Sequence, residues 1–205
     1  MTTDPTVFVV DDDEEARVSV CALVRSMGLP TKDFPSGEEF LAFYAAYDLR
    51  GCLVTDLRML GMSGIDLQEK LSEMGSELPV IVLTAFARTP LTVRAMRNGA
   101  VTMLDKPYHE DDLWDAICKA LALEEARRES RRRSEEIRQR LERLSPSEQQ
   151  VLDLVVAGKP NKVIAKRLGV SLRTVENRRR EVFTKMNAQS VAELVRLVIE
   201  SERTD

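Results

Sequence analysis

The chain opens with five short apolar runs, each followed by a stretch whose apolar positions recur every three or four residues. The runs are "TVFVV" at 6–10, "PTKDF" at 30–34 (the weakest), "GCLVT" at 51–55, "LPVIVLT" at 78–84 and "AVTML" at 100–104. Short apolar runs bounded by turn residues read as strands, and their near-continuous apolar character implies burial on both faces. The stretches between predict helices over 14–27, 37–46, 65–74, 90–98 and 111–122. Gly28, Gly75 and Gly99 stand where three of these helices should stop, because glycine accepts the left-handed conformation that closes a helix. Ser36, with Glu39 three residues on, has the spacing of a capping box. Alternating buried strands and amphipathic helices predict an α/β domain over residues 1–122, a doubly wound parallel sheet covered on both faces.

The pattern changes at 123. Residues 123–143, "LEEARRESRRRSEEIRQRLER", carry almost nothing apolar before Ile137 and Leu141. Opposite charges recur four apart: Glu124 with Arg128, Glu129 with Arg133, Arg132 with Glu136, and Glu136 with Arg140. That spacing supports a solvated helix, so 123–144 is predicted to be a charged helical linker. The arginine cluster offers phosphate donors as an alternative use. Apolar heptads are missing, which leaves a coiled coil without support. Residues 145–205 then show four helical patterns, at about 146–157, 161–168, 172–186 and 190–201. Ser145-Pro146 opens the first, Gly158-Lys159-Pro160 follows it, and Gly169 ends the second. This part is predicted to be an all-α, four-helix domain.

Charge adds a division of labour. The net charge of −4 splits into −9 over residues 1–122 (20 acids, 11 bases), +2 over 123–144 (6 acids, 8 bases) and +3 over 145–205 (8 acids, 11 bases). An acidic front and a basic back suggest two jobs on one chain. No run reaches the roughly 18 apolar residues of a membrane span, so no membrane partner is expected. The start "MTTDPTVFVV" lacks the basic and apolar regions of a secretory signal. Cys21, Cys52 and Cys118 have neither metal-ligand spacing nor an even disulfide framework, and all three are predicted to be buried free thiols. A single histidine gives no support to a His-rich metal site or a Ser-His-Asp triad. The expected location is cytoplasmic.

Parallel α/β sheets collect their ligands beyond the carboxyl ends of the strands. At those ends the sequence delivers Asp11 and Asp12 from the first strand, Asp56 from the third, Thr84 from the fourth and Lys106 from the fifth. Hard carboxylate oxygens suit Mg²⁺, which keeps several waters and takes only one or two carboxylates. Asp56 would then serve as nucleophile and form an acyl phosphate. Lys106 and the Thr84 hydroxyl would hold the remaining phosphoryl oxygens. Asp13, Glu14 and Glu15 need no such role: they fit the cap and first turn of a helix, where the dipole favours acids. Taken singly, Lys106 before Pro107 is an ordinary loop cation and Thr84 an ordinary strand-end hydroxyl. Four matched strand ends in the right order are much harder to obtain by chance.

These residues carry a resemblance. "VVDDDEEAR", "VTDLRM..MSG", "VIVLTA" and "LDKP" resemble the receiver domain of two-component response regulators, over the whole front half. The resemblance implies a flavodoxin-like receiver, Asp56 as phospho-acceptor, and a metal pocket of Asp11, Asp12 and Asp56 with the Arg58 backbone carbonyl as a further Mg²⁺ ligand. Thr84 and Lys106 would be the switch hydroxyl and the phosphate-binding lysine. Three positions depart from the pattern: Met103, Leu60 and Gly61. Met103 stands where receivers usually carry an aromatic, which points to signalling by backbone and helix movement. The loop usually written "RMP.MSG", with an acid before the second methionine, reads "RMLGMSG", with Leu60 and Gly61, which points to a looser loop beside the phosphorylation site. Phe86, two residues past Thr84, is placed to shield an acyl phosphate from water.

The stretch "PNKVIAKRLGVSLRTVENRRREVFTKM" at 160–186 has a short helix, a glycine-containing turn and a longer helix. Val163, Ile164, Leu168, Val170, Val175, Val182, Phe183 and Met186 mark its predicted core face, with bases and amides elsewhere. This is a helix-turn-helix pattern, whose second helix enters the major groove. From Leu144 to Met186 it resembles the LuxR-type domain of the FixJ/NarL family of response regulators, with Glu148 at that family's structural acid. The resemblance implies that Glu176, Asn177 and Arg180 face bases, while Lys162, Arg173, Thr174 and Arg179 contact the DNA backbone. Arg178 replaces a common histidine.

The expected function is that of a phosphorylation-activated transcriptional regulator, not an enzyme. A sensor histidine kinase would be the phosphodonor, double-stranded DNA the target and RNA polymerase a further partner. Phosphorylation would favour a homodimer through a face near Val93, Arg97 and Met103, as the family implies, bringing two DNA-binding domains to paired half-sites. Two rival readings exist: a phosphorylation-independent dimerisation or sensing module, and an aspartyl-phosphate enzyme such as a phosphatase. The second lacks an acid two residues after Asp56, where Arg58 stands.

Overall fold

The computed structural model describes residues 5–85 and 89–202, without the side chains of residues 89–91 and 202. Two compact units emerge, Met1–Arg127 and Arg128–Asp205.

In the first unit β1 (Thr6–Val10), α1 (Glu14–Ser26), β2 (Thr31–Phe34), α2 (Gly37–Ala46) and β3 (Gly51–Asp56) follow one another. After them come α3 (Gly64–Glu73), β4 (Val80–Thr84), α4 (Thr89–Arg97), β5 (Thr102–Asp105) and the start of α5 (Glu110–Glu142). The strands form one all-parallel sheet in the order β2-β1-β3-β4-β5. Side chains alternate across a strand, so β1 divides its residues between two cores. Phe8 and Val10 join Leu53, Val80 and Val82 beneath Phe40, Ile65 and Leu71. Val7 and Val9 join Cys52, Val54, Ile81 and Leu83 beneath Val20, Val24, Leu113 and Ile117 on the other face. The strand order reverses beside β1 and β3, and an open parallel sheet leaves a crevice at such a reversal, beyond its carboxyl edge.

Local signals set most boundaries. Asp13 caps α1 by accepting the amides of Glu15 and Ala16, with Glu14 and Glu15 in the first turn. The Ser36 hydroxyl accepts the Glu39 amide, and reciprocal capping boxes form at Ser63–Asp66 and Ser145–Glu148. Gly28, Gly75 and Gly99 take positive φ. Cys118 corrects an expectation: it is exposed, while Cys21 and Cys52 are buried. On α5 the buried positions are Leu113, Ala116, Ile117 and Ala120, and Cys118, one residue past Ile117, is turned about 100° off that stripe. Burial pushes the Cys52 thiol up to about 12.

The predicted linker is not a uniformly solvated helix. Helix α5 continues without a break through residue 122 to Glu142. In the first unit Glu124 is only 5% exposed and lies 4.0 Å from Arg50, which also bonds Glu125. In the second unit Ser134 is buried and donates to the Glu200 carbonyl, and Arg133 pairs with Glu200. Of the spaced pairs read from sequence, Arg132–Glu136 forms at 4.0 Å. Residues distant along the chain claim Glu124 and Arg133, which spacing within one helix cannot reveal.

The second unit adds α6 (Pro146–Val156), α7 (Asn161–Leu168), α8 (Leu172–Met186) and α9 (Val191–Glu202). Its core gathers Val151, Leu152, Ile164, Val175, Val182, Met186 and Leu194, together with Ile137 from α5. Val163, expected in this core, is 45% exposed. Ile164 occupies the inward position of the short α7, and its neighbour is carried round to the surface.

Glu148 ties this unit together. Its Oε2 accepts the Ser145 amide and the Lys185 ammonium, both at 2.7 Å, joining the start of α6 to the end of α8. The Lys185 hydrogen bond, then the Ser145 amide, hold its carboxyl below the ordinary value of 4.5. A depressed carboxyl contributes stability above the unfolded pKa and loses it as pH falls through the folded value. Thermal unfolding of this unit between about pH 6 and about pH 3 should therefore fall more steeply in the parent than in Glu148→Gln. Equal slopes would remove Glu148 from the account.

Candidate functional site

The carboxyl edge of the sheet brings together side chains far apart in sequence. β1 ends at Val10, opposite Thr55 of β3, and Asp56 lies opposite Leu83 of β4. Asp11, Asp56 and Thr84 are buried at this edge. Lys106 follows β5, whose Asp105 is in register with Thr84, and the Lys106 amide donates to the Thr84 carbonyl at 2.6 Å.

Lys106 occupies the centre. Its Nζ donates to Asp56 Oδ1 at 2.6 Å and to Asp11 Oδ2 at 3.1 Å. Asp56 Oδ2 accepts the Arg58 amide at 2.6 Å, and Asp11 Oδ1 accepts the Asp13 amide at 3.0 Å. Asp12 is held elsewhere: its Oδ2 accepts the Leu60 amide at 2.8 Å, from the loop that follows β3.

Burial works against the Lys106 charge, yet the hydrogen bond to Asp56 and the charges of Asp11 and Asp56 leave its pKa raised. The Asp11 carboxyl also titrates above its ordinary range. Burial is the largest cause, with the charge of Asp56 adding to it and the Asp13 amide and Lys106 opposing it. The asymmetry follows from desolvation, which penalises a buried anion even beside a cation.

The donor set fits a hard divalent cation. Carboxylate oxygens of Asp11, Asp12 and Asp56 are the ligand type Mg²⁺ prefers, and it needs only one or two of them beside water. Asp11 and Asp56 already share one cation, the Lys106 ammonium. In the arrangement described, no three acidic, cysteine or histidine side chains converge as metal ligands among the described residues.

Three contributors were not found in the sequence. Arg17 of α1 donates to the Asp11 carbonyl at 2.8 Å and to Asp33 at 3.1 Å, fixing the end of β1. Tyr108, two residues past Lys106, is half-buried, its hydroxyl pKa raised by burial first, with the Lys106 charge opposing and the charges of Asp11 and Asp56 adding to it. Leu60 acts through a backbone amide, which sequence shows only as the absence of proline. Phe86 lies outside the described residues. Val93 and Arg97 of α4 are exposed, whereas Met103 is half-buried against the core with Thr92 Oγ1 3.4 Å from its sulfur.

In the second unit α7, Gly169 with φ 67° and α8 form the helix-turn-helix. Ser171 caps α8 by accepting the Thr174 amide at 3.1 Å. Arg173, Glu176, Asn177 and Arg180 are exposed on α8, and Lys162 is exposed on α7. Arg180 donates to Asn177 Oδ1 at 2.8 Å. Arg179 is half-buried, donating to Asn161 at 2.8 Å and lying over the Phe183 ring. Gln189 and Ser190, unremarked in the sequence, share a shallow groove with Glu176, Arg179 and Arg180. Among the described residues no helix is long and apolar enough to cross a membrane.

Comparison with known proteins agrees with this architecture. Residues 7–118 match the response regulator receiver domain, and residues 142–198 match the luxR family of bacterial regulatory proteins. The chain is 43% identical over 198 residues to the transcriptional regulatory protein FixJ of Rhizobium meliloti, covering 96% of each. It is 40% identical over 195 residues to nodulation protein W of Bradyrhizobium diazoefficiens, covering 95% of this chain and 86% of that one. Among solved structures, the response regulator StyR aligns with a TM-score of 0.85 at 42% identity, covering 97% of this chain and all of that one. Full-length FixJ from B. japonicum aligns with a TM-score of 0.60 at 36% identity over both whole chains. The family these matches define is one of DNA-binding transcriptional regulators rather than enzymes, so the phosphatase alternative falls. A receiver domain implies a sensor kinase as partner, and a luxR-type domain implies binding to DNA. The chain belongs to the response regulators of the FixJ type, with an amino-terminal receiver domain and a carboxy-terminal luxR-type DNA-binding domain.

Proposed function

We propose that this regulator accepts a phosphoryl group on Asp56 from a sensor histidine kinase, with Mg²⁺, and that the modified receiver dimerises and promotes promoter binding in the cytoplasm. The observation that carries the reading is the position of Lys106, bonded to both Asp56 and Asp11 at the carboxyl ends of three strands. Asp56 Oδ attacks phosphorus, forming an acyl phosphate while the bond to the donor histidine nitrogen breaks. Lys106 leaves the carboxylate for a phosphoryl oxygen, a charge-assisted contact that keeps its ammonium neutralised. The Thr84 hydroxyl takes a second phosphoryl oxygen, and the Arg58 amide continues to orient the carboxyl of Asp56. Asp11, Asp12 and Asp56, with the Arg58 carbonyl, would hold the Mg²⁺, which supplies positive charge against the crowded acids and the incoming phosphoryl group.

Movement of Lys106 and Thr84 would shift β5 and α4, because the Lys106 amide is bonded to the Thr84 carbonyl. The dimer face would include Val93, Arg97 and Met103. In the DNA-binding domain, Glu176, Asn177 and Arg180 would read base edges, and Lys162, Arg173, Thr174 and Arg179 would contact phosphates. Arg180 and Asn177 would exchange their mutual bond for the DNA. The boundaries 1–122, 123–144 and 145–205 remain the working division into receiver, charged helix and DNA-binding domain. RNA polymerase would be met at the promoter.

Incubation with Mg²⁺ and acetyl phosphate, followed by light scattering, should move the full chain from monomer to dimer. A phosphorylated chain that stays monomeric would discard the proposed switch, and a dimer present without phosphorylation would favour the phosphorylation-independent alternative.

A further inference from the structure

We infer that the Leu60 amide is a latch on the metal site: it holds Asp12 away from the Mg²⁺ position in the resting receiver and lowers the affinity of this chain for the ion. The inference deepens the proposed function and rests on the reading that Asp12 serves Mg²⁺.

Three observations meet at Asp12. Its Oδ2 accepts the Leu60 amide at 2.8 Å, across 48 positions of sequence. Asp11 and Asp56 are committed to Lys106 on the same edge. Asp11, Asp12 and Asp56 are all described, yet no three such side chains converge as metal ligands. The resting site is thus satisfied internally, with one ammonium on two carboxylates and one amide on the third. An ion that draws Asp12 out of this position has to displace an amide bonded to a charged acceptor, which is stronger than an ordinary hydrogen bond.

Residue 60 decides whether that bond can exist. A proline, the residue that receiver loops usually carry there, has no amide hydrogen to give. The leucine side chain takes no part in the contact: it is 83% exposed. Its role here is to be an amino acid with an N–H. Leu60 is accordingly a positioning residue, acting on the ion through Asp12. Releasing Asp12 also removes one tie on the loop between β3 and α3, which couples uptake of the ion to the segment beside Asp56.

Titration calorimetry of the full chain with MgCl₂ tests the latch, using the parent, Leu60→Pro and Leu60→Ala. Leu60→Pro removes the donor and should bind Mg²⁺ about 5-fold more tightly, a fraction of what a hydrogen bond to a charged group can contribute because water competes at this exposed site. Leu60→Ala keeps the donor and should bind as the parent does. Equal affinity of Leu60→Pro and parent, weaker binding by Leu60→Pro, or a gain shared by Leu60→Ala would overturn the latch while leaving the metal site standing. If neither parent nor Leu60→Pro took up Mg²⁺, the metal reading itself would fail, and the latch with it. A second readout needs no variant: in the ¹⁵N-labelled parent, Mg²⁺ should move the Leu60 amide proton upfield and weaken its protection from exchange. An amide that keeps its shift and protection when the site is saturated would also overturn the proposal, even if Leu60→Pro failed to fold.

Discussion

Asp56→Asn should take up no phosphoryl group from acetyl phosphate with Mg²⁺, whereas the parent should gain one, read as the mass of the intact protein. The loss should be complete because it is chemical. A carboxylate oxygen carries the charge that attacks phosphorus, and a neutral amide oxygen is a poor nucleophile that forms no acyl phosphate. The substitution changes little else. The asparagine oxygen can still accept the Arg58 amide that now bonds Asp56 Oδ2, and Lys106 retains Asp11 as a charged partner. Circular dichroism and sedimentation of the variant should therefore match the unmodified parent. An equal mass gain in Asp56→Asn would move the acceptor elsewhere, with Asp11 and Asp12 the first places to look by peptide mapping. A parent that gains nothing from acetyl phosphate, or from a panel of histidine kinases, would return the receiver to the phosphorylation-independent class.

The acids of this site were legible because each stands at the end of an apolar run, and a parallel sheet brings all such ends to one edge. The strand pattern alone therefore places Asp11, Asp56 and Lys106 on a common edge, where Lys106 bonds both carboxylates. What it could not supply were contacts made by backbone groups and by partners remote in the chain. The Leu60 amide on Asp12 belongs to the first kind and the Arg17 bond to the Asp11 carbonyl to the second. Helical phase explains the errors at Cys118 and Val163. Each follows or precedes a buried isoleucine by one residue, and composition alone does not say which of two adjacent apolar residues turns inward. The charged stretch misled for a related reason. Periodicity averaged over 123–143 is polar, and a single buried position such as Ile137 barely alters the average while deciding where the helix packs.

That position carries the second large effect. Ile137 is 2% exposed and sits in one core with Val151, Leu152, Val175, Val182 and Leu194. Truncation to alanine removes apolar contacts and leaves a void that packed helices fill only in part, so Ile137→Ala should destabilise the second unit by about 2–4 kcal/mol. Hydrogen exchange of the slowest amides in α8 gives the number directly, since these open only with the unit as a whole. Two internal controls separate this from a general weakening of the helix. Arg132→Ala alters an exposed residue about 1.4 turns away, whose ion pair with Glu136 is 4.0 Å long, and should cost no more than about 0.5 kcal/mol. The single tryptophan, Trp114, lies in the first unit, so its fluorescence should report an unchanged unfolding midpoint there. A cost below about 0.5 kcal/mol for Ile137→Ala would show that the charged helix is a spacer after all. The expected cost would make residues 128–142 part of the folded DNA-binding unit, so that changes along this charged stretch act on the stability of the helix-turn-helix as well as on its tether.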